Sequence, residues 1–189
     1  ETGRNYHCIM RDDCPNYADG NIYFPNKDTM LYSESQLSAG VITLPLYWIS
    51  DNPILSYNTF TIISFFLAGW FMYLLAKFFS KGKELLPIVA GLVFAFAPIK
   101  MASVWHLQNL SIFYLPLIIL LLCKFLDKRQ RRYLILLLIA LVLQFYASWY
   151  QMVFVLMAVG VFLVGMKVFR LGTWRQVLAI AGITAIAAA

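Results

Sequence analysis

Few side chains in this chain of 189 residues are equipped for chemistry, and they gather in three stretches. The densest acidic point is Asp12-Asp13, with Asp19 close behind. Held at a membrane surface, such a carboxylate can act as general base toward a hydroxyl acceptor or bind a divalent cation. The same pair equally suits a solvated loop or a small calcium-type turn, and two residues do not choose between these readings. Glu34, within Tyr32-Ser33-Glu34-Ser35, is a further carboxylate that can face a site or flank a helix.

The second stretch holds Lys100, His106, Gln108 and Asn109. A lone ammonium beside an acidic cavity can neutralise a phosphate, and the alternative is a lysine that snorkels toward water. His106 can donate to a phosphate or move a proton, or it can simply be satisfied by water at an interface. The third stretch holds Gln144, Tyr146, Trp149, Tyr150 and Gln151. Aromatic faces beside amides suit sugar binding, and they also suit the aromatic belt of a membrane protein. Asn109-Leu110-Ser111 has the form of a glycosylation sequon, but it lies against an apolar run. The chain has no glycine-rich phosphate loop, no HExxH and no GxSxG, so those phosphate, zinc-protease and hydrolase chemistries lack their signatures.

The elements that must position these groups are apolar. Hydrophobic residues make up 61% of the chain, charged residues only 13%, and the mean hydropathy is +0.73. A soluble domain carries roughly 25% charged residues. Residues 57–76 form an uncharged run of 20, long enough at ~1.5 Å per residue to cross the hydrocarbon. Residues 85–123 are interrupted by one charge, Lys100, and are too long for a single span. Pro98, Lys100, His106, Gln108 and Asn109 divide them into a hairpin. Residues 133–166 contain 34 uncharged positions, ~51 Å as one helix, and divide at Ser148-Trp149-Tyr150-Gln151. The expected architecture is an all-α polytopic membrane protein, with spans near 57–77, 85–100, 108–126, 132–148, 150–168 and 175–189. An extracytoplasmic region, 1–56, precedes the transmembrane domain, 57–189.

Charge tests this division. Residues 1–56 hold seven acids and three bases, a net −4, and residues 57–189 hold twelve bases and two acids, a net +10. Eleven of those twelve bases fall in 77–84, 124–132 and 167–175. The positive-inside rule makes those loops cytoplasmic. Residues 1–56, the 100–108 turn and the 148–151 turn are then expected together on the extracytoplasmic side of the plasma (inner) membrane. The overall charge of +6 is thus topological and does not point to nucleic acid. On that outer side Cys8 and Cys14 are either a disulfide or two free thiols. The apolar stretch 41–49, with Pro45 and Trp48, is too short to span and is expected as a helix lying in the interface. The chain starts in a polar segment and stops within an apolar run, as a piece of a longer protein would.

Several strings carry a family resemblance. Tyr23-Phe24-Pro25-Asn26 followed by Tyr32-Ser33-Glu34 resembles a "YPxG…YSD" stretch. Leu44-Pro45-Leu46 followed by Asn52-Pro53-Ile54-Leu55-Ser56-Tyr57-Asn58 resembles "PL…NPxxAYN". Ser64 to Tyr73, with Gly69, resembles "SFxLSGxxxY". Val89-Ala90-Gly91-Leu92-Val93-Phe94-Ala95-Phe96-Ala97-Pro98 resembles "VAGLxFAFSP". His106-Leu107-Gln108-Asn109-Leu110 with Leu115-Pro116-Leu117 resembles "HLQxL…xPL", and Leu143-Gln144 to Tyr150 resembles "LQxxSxxYY". In order and spacing, over roughly residues 20–168, the set resembles prokaryotic GT-C type membrane glycosyltransferases of the protein-mannosyltransferase and aminoarabinose-transferase-like group.

That resemblance implies a polyprenyl-phosphate-linked sugar donor and an acceptor meeting at the outer face, with inversion at the sugar. It also implies an essential carboxylate in the first outer loop and interfacial helices within that loop. Asp12 or Asp13 would be the catalytic base. Lys100 and His106 would stabilise the departing phosphate, and Glu34, Gln108, Asn109, Trp149 and Tyr150 would line the substrate site. Asp12-Asp13 lies closer to Tyr23-Phe24-Pro25 than the family's acidic motif does, which places the catalytic acid upstream of residue 1 as an alternative. Two other classes are weighed. One is a non-catalytic GT-C-like scaffold or assembly subunit. The other is a translocase, which needs a continuous polar path that these spans hardly supply.

Overall fold

Backbone amides in hydrocarbon must be satisfied within the chain, which leaves helices as the way for single segments to cross. The computed structural model describes residues 25–28, 34, 36–80, 82 and 84–168, with backbone only beyond 165. Among these residues the regular structure is entirely helical. Asp12, Asp13, Asp19, Cys8, Cys14 and the expected span 175–189 lie outside the described residues.

Helix α1 (Leu37–Ser50) is the short helix expected near 41–49, longer by several residues at its start. It buries Ala39, Gly40, Thr43 and Tyr47 and exposes Val41, Pro45, Trp48 and Ile49. The exposed set, at spacings of four, three and one, is one apolar stripe. Asp51, in the left-handed conformation at φ 47°, ends the helix.

Helix α2 (Pro53–Phe79) begins at once, four residues before the expected span. Asn52 and Pro53 explain the early start. The Asn52 Oδ1 accepts from the Ile54 and Leu55 amides at 3.0 and 3.1 Å, and Pro53 takes the first helical position, where no amide proton is needed. Helix α3 (Leu85–Ala95) stops before Pro98, with Ala97 extended at φ −54°, ψ 136°, as a residue preceding proline prefers. Helix α4 (Pro98–Ala102) continues the stretch. After a turn come α5 (Leu107–Leu110), a 3-10 turn (Ser111–Phe113) and α6 (Tyr114–Lys128). Helices α7 (Arg131–Ala147) and α8 (Trp149–Val168) are parted by Ser148 alone, extended at φ −164°, ψ 112°. Residues 133–166 are therefore two helices, divided where the sequence expectation put the break.

Among the described residues three helical stretches are long and apolar enough to cross a membrane: Pro53–Phe79, Leu85–Ala102 and Leu107–Lys128. The third is the most enclosed, 56% buried over its most apolar window against 17% and 22% for the other two. Its Leu110, Phe113, Ile118 and Leu122 meet Phe60 and Ala68 of α2 and Leu137 and Leu141 of α7 in one core. Met152, Val155, Val159 and Leu163 of α8, spaced three, four and four, are buried in that core too. Outside it, Ile62, Phe66, Val93 and Val161 stand 65 to 74% exposed, an apolar girdle that water would not tolerate and lipid would.

The tightest helix contact is α2 on α3. A Cβ built on Gly91 would lie 2.8 Å from the Gly69 carbonyl oxygen and 3.3 Å from the Tyr73 Cβ. One on Gly69 would lie 3.3 Å from the Ala95 Cβ. Small residues let the two backbones touch, which is how membrane helices gain packing without a hydrophobic drive between them. Gly91→Ala should therefore lower stability by about 1–3 kcal/mol, with Gly69→Ala milder, read as melting temperature of the detergent-solubilised protein.

Candidate functional site

Three separate parts of the chain meet at one end of the helices. The first is the segment leading into α1. Glu34 Oε1 accepts from the Ser148 hydroxyl at 2.7 Å and from the Tyr150 amide at 3.1 Å. The Ser148 Oγ in turn accepts from the Gln151 amide at 3.1 Å. Glu34 thus caps the N-terminus of α8 from more than a hundred residues away, where the helix offers unpaired amides and partial positive charge. Two residues later Gln36 donates from Nε2 to Gln108 Oε1 at 3.2 Å. Gln151 Nε2 reaches Asn109 Oδ1 at 3.5 Å, at the outer limit of a hydrogen bond. The segment leading into α1 acts as a strap, and strap, 100–109 turn and 148–151 turn are thereby linked through hydrogen bonds.

Two clefts flank it. The first, about 480 Å³, lies between α1, the start of α2 and the 105–108 segment. Gln36, Thr43, Ser56, Tyr57, Trp105 and Gln108 give it a neutral polar lining. Tyr57 also ties the segment down, its hydroxyl donating to the Val104 carbonyl at 2.6 Å. The second, about 420 Å³, lies between α4, α5 and α8. Ser103, Asn109, Tyr150 and Gln151 form its polar part, while Phe94, Ile112, Leu115 and Phe154 form its apolar part. Gln108 and Asn109, neighbours in sequence, line different clefts, so α5 is the partition between them.

The expected site residues divide into those gathered and those diverted. Glu34, Gln108, Asn109 and Tyr150 are gathered, as is Gln151. Trp149 and Tyr150 remain 60% and 55% exposed, and Tyr150 packs edge-on to Phe154 at 5.0 Å. His106 is exposed at the start of α5, and its imidazole makes no hydrogen bond among the described residues. Lys100 does not snorkel toward water. It lines the second cleft but is 3% exposed, and its Nζ donates to the Ser64 carbonyl at 2.8 Å. The ammonium also sits 4.7 Å from the Phe65 ring centroid. Its ammonium thus lies against α2 with one hydrogen bond, at the wall of the second cleft. Sequence reasoning missed Ser148, whose hydroxyl joins Glu34 to α8; its position beside the expected break was the available signal. Also unforeseen is that Gln144 is fully buried.

Among the described residues no three His, Cys, Asp or Glu side chains form a metal-binding group. No family model matches the chain, and no curated protein or solved structure matches it.

Ser148→Ala removes both the donor to Glu34 and the acceptor for the Gln151 amide. The expected loss is about 1–3 kcal/mol of stability, accompanied by faster hydrogen exchange at the Tyr150 and Gln151 amides. Ser148→Thr, which keeps the hydroxyl, should restore most of both.

Proposed function

We propose that the chain is the membrane body of a glycosyltransferase that moves a sugar from a polyprenyl-phosphate donor to an acceptor at the extracytoplasmic face of the plasma membrane. The observation that carries this reading is the hydrogen-bonded meeting of the strap, the 100–109 turn and the 148–151 turn beside two clefts. The second cleft has a polar part of hydroxyl and amide groups and an apolar part of aliphatic and aromatic side chains. That division fits an isoprenoid chain bearing a sugar head. In this reading the chain is polytopic, with α7, α8 and 175–189 as further spans. The basic loops 77–84, 124–132 and 167–175 then lie in the cytosol.

The catalytic base is assigned to Asp12 or Asp13, which would take the proton from the acceptor hydroxyl as it attacks the anomeric carbon and the lipid phosphate departs. Asn109, Tyr150 and Gln151 would bind the sugar or the lipid head. Glu34 positions the rim, since its Oε1 is already engaged with Ser148 and Tyr150. Lys100, which lines the second cleft while giving one hydrogen bond to Ser64, would be the cation for the lipid phosphate.

A second reading, a non-catalytic membrane scaffold, draws on one observation. Two charged groups near the clefts are engaged inside the fold, Lys100 with α2 and Glu34 with α8. The readings part on turnover of a lipid-linked, radiolabelled sugar by membranes carrying the full-length protein. Asp12→Asn or Asp13→Asn should reduce turnover about 10²- to 10⁴-fold. Ile112→Trp, which fills the apolar part of the second cleft, should raise KM for the lipid-linked donor. No turnover by the wild type with any lipid-linked sugar favours the scaffold, and unchanged turnover in both aspartate variants removes those residues from the mechanism.

A further inference from the structure

The proposed function gives the second cleft a lipid-linked donor and leaves the first without an occupant. The first cleft is formed by α1, the start of α2 and the 105–108 segment, and none of the described residues lining it is charged. The second, across α5, has Lys100 in its wall. A charge taken out of water needs a counter-charge or dense hydrogen bonding. An anionic guest therefore finds a cation in the second cleft and none in the first, and a cationic guest finds no carboxylate in the first either. The first cleft suits a neutral molecule.

Its polar side chains narrow the choice. Thr43 donates to the Ala39 carbonyl at 3.0 Å, Ser56 to the Asn52 carbonyl at 3.2 Å and Tyr57 to the Val104 carbonyl at 2.6 Å. Each hydroxyl has one proton and gives it inside the fold, so what each has left is acceptor capacity. Gln36 and Gln108 are joined by one hydrogen bond, Gln36 Nε2 to Gln108 Oε1 at 3.2 Å. That bond holds the two amides against each other and leaves the Gln36 oxygen as an acceptor and the Gln108 nitrogen as a donor. A guest that answers this lining is rich in hydroxyl donors and carries acceptors of its own. Saccharide hydroxyls are both at once. A peptide backbone offers one amide proton per residue, and an isoprenoid offers none.

Trp105 lines the same cleft, 83% exposed, with no hydrogen bond and no ring partner among the described residues. Trp48 and Trp149 are exposed too, but they line neither cleft, as members of an aromatic belt need not. Trp105 alone of the three joins an open indole to amides and hydroxyls in one concavity. A flat apolar ring beside polar side chains is a surface on which the C–H face of a sugar packs while its hydroxyls are bonded.

We propose that the first cleft binds a neutral saccharide, with Trp105 stacking on a sugar ring and Gln36 and Gln108 bonding its hydroxyls, and that this saccharide is the acceptor. The acceptor role rests on the sugar-transfer reading, and the binding does not. In the transfer, a hydroxyl oxygen of the bound saccharide bonds the anomeric carbon of the donor. The bond from that carbon to the phosphate oxygen breaks, its electron pair leaves on the lipid phosphate, and the hydroxyl proton passes to the carboxylate base. The product is a longer saccharide.

The test places the full-length protein in nanodiscs, free of sugar-headed detergent, on an array of neutral oligosaccharides, anionic oligosaccharides and serine-containing peptides. The expected result is retention on neutral oligosaccharides. Trp105→Ala and Gln108→Leu should each weaken it about tenfold, and Trp105→Phe should keep most of it. Trp105 is exposed, so its replacement should leave the melting temperature unchanged. Failure to bind any neutral oligosaccharide overturns the proposal, as does a preference for the anionic or peptide probes, or binding that neither variant weakens. Turnover measured in parallel separates the two readings. Saccharide binding without transfer from any lipid-linked sugar removes the acceptor role together with the sugar-transfer reading and leaves the cleft its ligand. Transfer to a peptide without saccharide binding removes the ligand and leaves sugar transfer standing.

Discussion

One extended residue, Ser148, sets how the remainder of this molecule is arranged. Had α7 and α8 been a single rod, α8 would have left the body, and Val155, Val159 and Leu163 would not share a core with Leu137 and Leu141. The break frees amides at the start of α8, and free amides need acceptors. Ser148 supplies one to Gln151, and Glu34 supplies one to Tyr150. The demand created by one interruption in a helix therefore recruits a carboxylate from the far end of the chain. That recruitment brings α1 onto α7 and closes the wall beside the first cleft.

The apolar helices could be read from the sequence because hydrocarbon imposes a length on them and punctuation residues end them. Asn52-Pro53, Ala97-Pro98 and the 148–151 turn each act through local backbone chemistry, and each lies where an element starts or stops. The convergence of the strap with the two turns was legible as well, since the alternation of basic loops leaves these three segments on one side. The partners of individual polar groups were not legible. Lys100 could not be placed against α2, because no periodicity reveals that Ser64, on another helix, offers it a carbonyl. Glu34 could be listed as facing a site, but its hold on the α8 N-terminus depends on a contact across 114 residues. Division of Gln108 and Asn109 between two clefts likewise follows from the turn geometry of α5, which neither hydropathy nor charge encodes.

Two of the contacts within the body differ in kind. Where α2 crosses α3, glycine carbonyl and glycine Cα approach so closely that no side chain can intervene, and the contact is one of shape. Where the strap meets α7 and α8, hydrogen bonds and buried amides dominate, and the contact is one of electrostatics. The first resists substitution of any size. The second responds to chemistry, which is a sensible property for a surface beside two clefts.

Helix α1 carries this difference outward. Its inner face is committed to the body, while Val41, Trp48 and Ile49 are 63, 71 and 85% exposed. Whatever covers that stripe contributes to the free energy of α1, and Glu34 lies only three residues before the helix begins. The choice of surfactant during purification is accordingly a thermodynamic variable of the strap: a short-chain micelle that leaves the stripe wet would loosen the same carboxylate that a well-matched one helps to seat.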